Sequence, residues 1–281
     1  GAGGRGGEAP AAAQARASSE PPPSLGRRAA LLAASGALLC PPLPRPAAAA
    51  EGDVDVYFGC GCFWHVQHEF VVAEQRILGR GVEQVTALAG YAGGKQTLPV
   101  SGFDTVCYHT LGVPGFQSEA SAADYGRLGH GEVVGMRVPA SSVGDFAREY
   151  FSLLDKNGDR PDVMDRGGEY RNLVGLPGGV DGPLFGALQA AAPPYLRLAA
   201  ASGNEGDTLG RKTVWVYDSA AFPFHQAEVY HQYHDGFFPG ENYPESYNGL
   251  KKEAVAAGRL GGTGCPDEVR LSPDKQTWRF A

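Results

Sequence analysis

The sequence predicts an α+β fold, a two-layer sandwich in which helices pack on a mixed sheet. Two strand-to-helix successions predict it. The alternating Val54-Asp55-Val56-Tyr57-Phe58 runs into a tight turn at Gly59-Cys60-Gly61. From Cys62 or Phe63 onward the apolar positions Phe63, Val66 and Phe70 fall at helical spacing. Val133–Val138 forms a later strand, ahead of a helix that Ser142 can cap and in which Val143, Phe146, Tyr150 and Leu154 share one face.

The remaining elements follow in order. A second strand is expected over roughly Gln84–Leu88, ending at Gly90-Tyr91-Ala92-Gly93-Gly94. Residues 95–128 read as a long irregular insertion with few periodic signals. Tyr170–Leu176 and Thr213–Tyr217 are further strands, Ala190–Ser202 is Ala-rich and predicted helical after Pro194, and residues 222–235 form a histidine-rich helix or turn. From Gly258 the chain is Gly-rich and expected to be mobile.

Three segments are expected: a targeting segment over 1–50, a catalytic domain over 51–257 and a C-terminal tail over 258–281. The first is Ala, Gly, Ser and Pro with scattered Arg, then Arg27-Arg28, an Ala/Leu stretch to Cys40, and small residues to Ala50. This order reads as an export signal cleaved after about Ala50, removing Cys40. The Ser/Ala/Arg-rich preface suggests a two-part plastid transit peptide, and the paired arginines point to the thylakoid lumen. A plain bacterial or secretory signal, or a disordered tail, is the alternative.

The 281-residue chain has 24 Lys and Arg against 31 Asp and Glu. Residues 51–281 hold 19 and 29 of these, a net charge of −10, which disfavours nucleic-acid partners because a polyanion is repelled. The longest apolar run, Ala29–Cys40, is broken by Ser35 and Gly36 and falls short of the ~18 residues a bilayer span needs. No stable membrane anchor is expected. Five cysteines are too few for a disulfide scaffold of this size but leave room for reactive thiols.

Cys62 stands where a strand hands over to a helix. Unpaired N–H groups and the positive end of the helix dipole there favour a thiolate, the attacking form of cysteine. Phe63 and Trp64 can wall an apolar pocket beside the sulfur. By composition alone Cys62 reads instead as a buried thiol in an aromatic core, Glu132 as a solvated turn carboxylate and Tyr170 as a core aromatic. The spacing Cys60-x-Cys62-x-x-His65-x-x-His68 also holds four zinc-ligand types, though not in a common finger pattern.

Gly61-Cys62-Phe63-Trp64 resembles the active-site signature of the methionine sulfoxide reductase A family, and four further blocks follow in order. They are Gly90-Tyr91-Ala92-Gly93-Gly94, Gly129-His130-Gly131-Glu132-Val133-Val134, Asp165-Arg166-Gly167-Gly168-Glu169-Tyr170-Arg171, and Phe224-His225-Gln226-Ala227-Glu228 with His231-Gln232. Together they span roughly 54–235. His65 and Gln67 replace the family's usual Gly and Glu. The family tyrosine upstream of the Gly-His block falls by spacing near Ala120, leaving Tyr125 and Tyr108 as candidate substitutes.

The resemblance implies a ferredoxin-like plait and a cofactor-free reductase returning methionine S-sulfoxide, in proteins or free, to methionine. In that reading Cys62 attacks the electrophilic sulfur while Glu132, its pKa raised by desolvation, protonates the oxygen. Tyr170 donates to the same oxygen, Asp165 orients the site or binds a polar edge of substrate, and Phe63 and Trp64 hold the S-methyl. His130, Glu228 and His231 support the pocket through hydrogen bonds. A sulfenic acid remains on Cys62. Cys265, flanked by glycines, then forms a disulfide with Cys62 that thioredoxin or a similar thiol donor opens. Cys107 is the competing resolver and Cys60 reads as a packed thiol. The implied state is a monomer whose partners are oxidised proteins, free methionine sulfoxide and the thiol donor. The alternatives are a non-catalytic redox sensor or methionine-sulfoxide-binding module, and a zinc-binding domain.

Overall fold

The computed structural model describes residues 52–109, 122–235 and 243–266; the leader with Cys40, the stretch holding Ala120 and the tail beyond 266 lie outside the described residues. The strands are β1 (Asp53–Gly59), β2 (Leu88–Ala92), β3 (Leu98–Val100), β4 (Phe103–Thr105), β5 (Gly131–Pro139), β6 (Leu173–Leu176), β7 (Arg197–Ala200), β8 (Thr213–Asp218) and β9 (His225–Gln226). The helices are α1 (Phe63–Leu78), α2 (Val143–Ser152), α3 (Phe185–Ala191), α4 (Glu245–Asn248) and α5 (Leu250–Ala256). Seven strands form one mixed sheet in the order β7-β8-β6-β1-β5-β2-β9, and β3 and β4 make a separate hairpin. Among the described residues no helix is long and apolar enough to cross a membrane.

Alternation along the strands sorts side chains to two faces. Val56 and Phe58 of β1, Val134, Met136 and Val138 of β5, Val174 of β6 and Val216 of β8 join Val66 and Phe70 of α1 and Phe146 and Tyr150 of α2 in the main core. The Phe58 ring lies 4.9 Å from that of Phe70 and 5.4 Å from that of Tyr150. Burying a side chain of this size contributes about 1.5–3 kcal/mol. On the opposite face Tyr57, Val133, Leu173 and Tyr217 are covered by Phe222 and Phe224.

Several boundaries differ from expectation for local reasons. The second strand is Leu88–Ala92, not Gln84–Leu88, because the Ala87 carbonyl is taken by the buried Gln67 side chain while Gly90–Ala92 pair with β5. Tyr170 lies outside β6: Gly168–Tyr170 is a 3₁₀ turn entered through Gly167. The helix expected over Ala190–Ser202 is absent. α3 ends at Ala191, before Pro193-Pro194, and Arg197–Ala200 pairs in parallel with β8 at the sheet edge. Pro193-Pro194 interrupts any helix through this segment and its alanines define no face, so pairing at the open strand edge decides the state of Arg197–Ala200. Ser142 stands at the N-cap of α2 but makes no side-chain capping bond. Residues 222–235 hold the two-residue β9 and a 3₁₀ turn at Val229–His231. The 95–128 insertion carries the β3-β4 hairpin and a bridge between Cys107 and Asp124.

One feature of the sheet places the site. β1 and β5 run antiparallel with Phe58 opposite Val134, so Glu132 arrives beside the turn that follows β1. A Cβ on Gly59 would sit 2.3 Å from the Glu132 carbonyl oxygen, so the bare glycine is what allows this approach.

Candidate active site

The turn after β1 delivers two consecutive amides to two distant carboxylates. Gly61 has φ +78°, and a Cβ there would meet Asp165 Oδ2 at 3.1 Å; its N–H donates to the Tyr170 carbonyl at 3.1 Å. Cys62 is the N-cap of α1, in extended backbone and partly exposed. Its N–H donates to Asp165 Oδ2 at 2.9 Å, and the N–H of Phe63 donates to Glu132 Oε2, also at 2.9 Å. The carboxylates thus satisfy amides that a helix start leaves without intrahelical partners.

This arrangement corrects the expected thiolate. Burial, the strongest influence, pushes the Cys62 thiol well above the usual range, and the charges of Glu132 and Asp165 push the same way. The amides of Trp64 and His65 pull downward, as the helix start predicts, but are outweighed.

Glu132 is 2% exposed, and Tyr125 donates its hydroxyl to Oε1 at 2.9 Å. Burial lifts its pKa to about 8, against the pull of the Phe63 amide and the Tyr125 hydroxyl, so the carboxyl holds its proton at neutral pH. Tyr170 is half-buried on its 3₁₀ turn. Its phenol is kept protonated by burial and by the nearby charges of Glu132, Asp165 and Cys62, against a hydrogen bond with Tyr125. Burial also raises the pKa of Asp165, which the Cys62 amide and Arg160 oppose. Asp165 is held by its own main chain: buried Arg160 donates to the Asp165 carbonyl and forks onto Asp207 at 2.8 and 3.1 Å. The expected residues Cys62, Glu132, Tyr170 and Asp165 therefore converge, with Phe63 beside them.

Aromatic rings wall the cluster. Phe63 lies 5.8 Å from Tyr91 and 5.2 Å from His231, centroid to centroid. Trp64 stacks on His234 at 3.8 Å and donates its indole N–H to His231 Nδ1 at 3.2 Å. That bond leaves the proton of neutral His231 on Nε2, for which no described residue is an acceptor. Burial lowers the His231 pKa to about 3. Tyr108 and Tyr125, the two candidate substitutes for the displaced family tyrosine, are both present, with rings 5.7 Å apart. Tyr125 is the one hydrogen-bonded to Glu132. Glu228 joins this wall from beneath, accepting from the Tyr91 hydroxyl and the Tyr108 amide at 2.8 Å each. His130 instead bonds the Gln96 carbonyl at 2.7 Å.

Two expectations fail to converge on the site. Cys265 is not placed to face Cys62; it is disulfide-bonded to Cys107, with Cα atoms 5.6 Å apart. The chain after α5 folds back over the β3-β4 hairpin, where Cys265 joins Leu98, Val100, Cys107 and Ala123 in a small apolar cluster. Cys60 is a buried free thiol whose pKa burial pushes to about 12. Nor does the Cys60-Cys62-His65-His68 spacing gather a metal site. Among the described residues the one trio of ligand-type atoms within 4.8 Å of one another is Cys107, Glu228 and Cys265, two of them joined by the disulfide.

Sequence reasoning missed the brace beneath the site. Fully buried Gln67 donates to the Ala87 carbonyl and to Gln232 Oε1, both at 3.1 Å, and accepts from the Tyr233 amide. Gln232 in turn exchanges bonds with both main-chain groups of Ala89. These bonds lock the His231 turn to α1 and β2. The available signal was Gln67's place on the buried face of α1, four residues after Phe63. Arg160 gave no signal at all.

Chemically, the site offers a sulfur nucleophile, a neutral carboxyl able to give a proton, phenol donors and an apolar aromatic wall. No family model and no curated protein matches the chain. Solved structures similar to it include methionine sulfoxide reductase A of Corynebacterium diphtheriae, with 18% identity and a TM-score of 0.41 over 72% of this chain and 92% of that one. Mxr1 from Saccharomyces cerevisiae in reduced form gives 18% identity and a TM-score of 0.37 over 64% and 83%. The same protein in an unusual oxidized form gives 16% and 0.31 over 64% and 78%. Likeness at these values carries no argument about the site, whose chemistry rests on the geometry above.

Proposed function

We propose that this chain is a thiol-dependent reductase that returns methionine S-sulfoxide, in proteins and as the free amino acid, to methionine. One observation carries the reading: a protonated buried carboxyl, Glu132, is hydrogen-bonded to the amide that directly follows a partly exposed cysteine, inside an aromatic wall. A sulfoxide has an electrophilic sulfur and a basic oxygen, which calls for this pair of groups.

In the proposed reaction Cys62 sulfur attacks the sulfoxide sulfur as Glu132 gives its proton to the oxygen. Tyr170 donates a hydrogen bond to that oxygen as charge gathers on it. The S–O bond breaks, the oxygen passes to Cys62 as a sulfenic acid, and the thioether leaves. The sulfoxide sulfur is reduced by two electrons and the cysteine sulfur oxidised by two. Two thiols then restore Cys62, leaving as a disulfide with release of water. Recycling through Cys265 requires the Cys107–Cys265 bond to open first, a step suited to thioredoxin or a similar donor. Asp165 steadies the Cys62 amide, and Phe63 and Trp64 receive the S-methyl group. The ferredoxin-like reading of the fold rests on the antiparallel order β6-β1-β5-β2 with α1 and α2 as crossovers. Action as a monomer in a plastid, in the thylakoid lumen, belongs to the same proposal and rests on the sequence alone.

The raised thiol pKa of Cys62 favours a second reading, a methionine-sulfoxide-binding sensor without turnover. A chiral assay decides between them. Peptides carrying each sulfoxide epimer are incubated with dithiothreitol and either the wild type or Cys62→Ser. Consumption of the S epimer alone, abolished in the variant, is the expected result. Binding without turnover by folded wild type would establish the sensor, and equal single-turnover amplitude in Cys62→Ser would remove Cys62 from the chemistry.

A further inference from the structure

We infer that the Cys107–Cys265 disulfide is a positioning device for the acid, holding the short bridge that sets Tyr125 against Glu132 and lays Tyr108 along the same wall. The inference deepens the reductase reading and rests on it for its catalytic consequence.

The chain of contacts is continuous. The Cys107 N–H donates to the Ala123 carbonyl and the Cys107 carbonyl accepts from the Tyr125 N–H, each at 2.8 Å. The Tyr125 carbonyl accepts from the His130 N–H at 2.9 Å, two residues before the acid, and its hydroxyl reaches Glu132 Oε1. Tyr108, the residue after Cys107, has its amide on Glu228 and its ring 4.4 Å from that of His231. Both main-chain bonds of Cys107 and its next neighbour thus serve the site, although Cys107 itself does not touch the reacting groups.

The apolar cluster beside the disulfide itself is thin. Among the described residues it holds Val100, Cys107 and Ala123, with Leu98 and Cys265 partly buried, while Val106 and Tyr125 on either side belong to the main core. The covalent tie to Cys265, 158 residues later in the sequence, supplies what that small cluster lacks. A dithiol opens the tie by passing two electrons and two protons to the Cys107 and Cys265 sulfurs and leaving as its own disulfide. The bridge then rests on that cluster and on the main-core packing of Val106 and Tyr125, which keeps the Tyr125 ring buried against Tyr91 but no longer fixes its hydroxyl against Glu132.

The consequence has a sign. Glu132 is faced by Cys62, Asp165, Tyr91, Tyr108, His109, Tyr125 and Tyr170. The Tyr125 hydrogen bond is one of the influences that lower its pKa, so releasing Tyr125 sends the carboxyl to higher pH.

Two readouts test this on the full chain. The first is titration of the Glu132 carboxyl by carbon NMR on glutamate-labelled protein, which needs no turnover. The second is the first-turnover rate on a methyl sulfoxide peptide, which precedes any resolving step and so separates positioning from recycling. The forms compared are the wild type with the bond closed, the wild type opened by dithiothreitol, Cys265→Ser, and Tyr125→Phe with the bond closed. Opened forms and Tyr125→Phe are expected to titrate Glu132 at higher pH. Their first turnover should fall by about tenfold to a hundredfold, the scale of a misplaced catalytic group. Should Cys265→Ser fail to fold, the opened wild type and Tyr125→Phe carry the same comparison. Identical Glu132 titration in closed and opened forms would overturn the inference whatever the activity. A moved titration with no reduction of the peptide by any form would uphold the positioning and overturn the reductase reading.

Discussion

Replacing Glu132 with Gln is the sharpest probe of the proposed chemistry. The variant is close to isosteric: its Oε1 can keep the Phe63 amide, and its Nε2 can donate to the Tyr125 oxygen after the hydroxyl rotates. The reacting state needs one proton shared between thiol and carboxyl, with the sulfur ionised and the carboxyl neutral. Because burial holds Glu132 at about 8 and Cys62 well above its usual range, that state fills as the first proton leaves and empties as the second follows. First-turnover rate should therefore rise through about pH 8 and fall at still higher pH. In Glu132→Gln only the thiol titrates, so the rate should rise with pH to a plateau and never fall. The plateau should lie roughly 10²–10⁴ below wild type, about 3–5 kcal/mol of barrier at 1.36 kcal/mol per decade.

Stability follows the same proton. A carboxyl whose pKa is raised on folding contributes stability below its unfolded value, and that contribution is lost as pH climbs through about 8. Denaturant unfolding of the wild type should weaken across this window by up to about 5 kcal/mol, a loss that Glu132→Gln should not show. A falling limb retained in the variant, or a rate loss under about tenfold, would refute Glu132 as the proton donor.

Two further outcomes follow from the supports around the site. Arg160→Met should cost about 2–4 kcal/mol in denaturant unfolding, since it strips charged hydrogen bonds from Asp207 and from the Asp165 carbonyl. The wild-type share of that bond is lost only below the ordinary aspartate range, because Asp207 is held down at about 2. Gly59→Ala should cost about 1–3 kcal/mol in thermal unfolding through the clash of its Cβ with the Glu132 carbonyl, and should slow first turnover by displacing the acid. An unchanged melting temperature would mean that β5 yields there freely.

Much of the fold was legible because it repeats a period. Val56 and Phe58 alternate with Asp55 and Tyr57, and Phe63, Val66 and Phe70 recur on one helical face, so β1 and α1 were placed within a residue or two. Segments without a period are not legible in this way: within Ala190–Ser202 the helix ends at Ala191 and Arg197–Ala200 is an edge strand, because pairing with β8 outweighs the local helix preference. Tyr170 left β6 for a turn that only the Gly167 backbone and the Gly61–Tyr170 hydrogen bond make necessary.

By itself the chain order determined that a thiol would stand at a helix start and that apolar rings would follow it, since both depend on neighbours a few residues away. Tertiary structure decided that Glu132 lies against the Phe63 amide, that burial keeps the acid protonated and the thiol from ionising easily, and that Cys265 joins Cys107 rather than Cys62. These depend on desolvation and on which distant segments the sheet brings together, and neither quantity exists until the chain has closed.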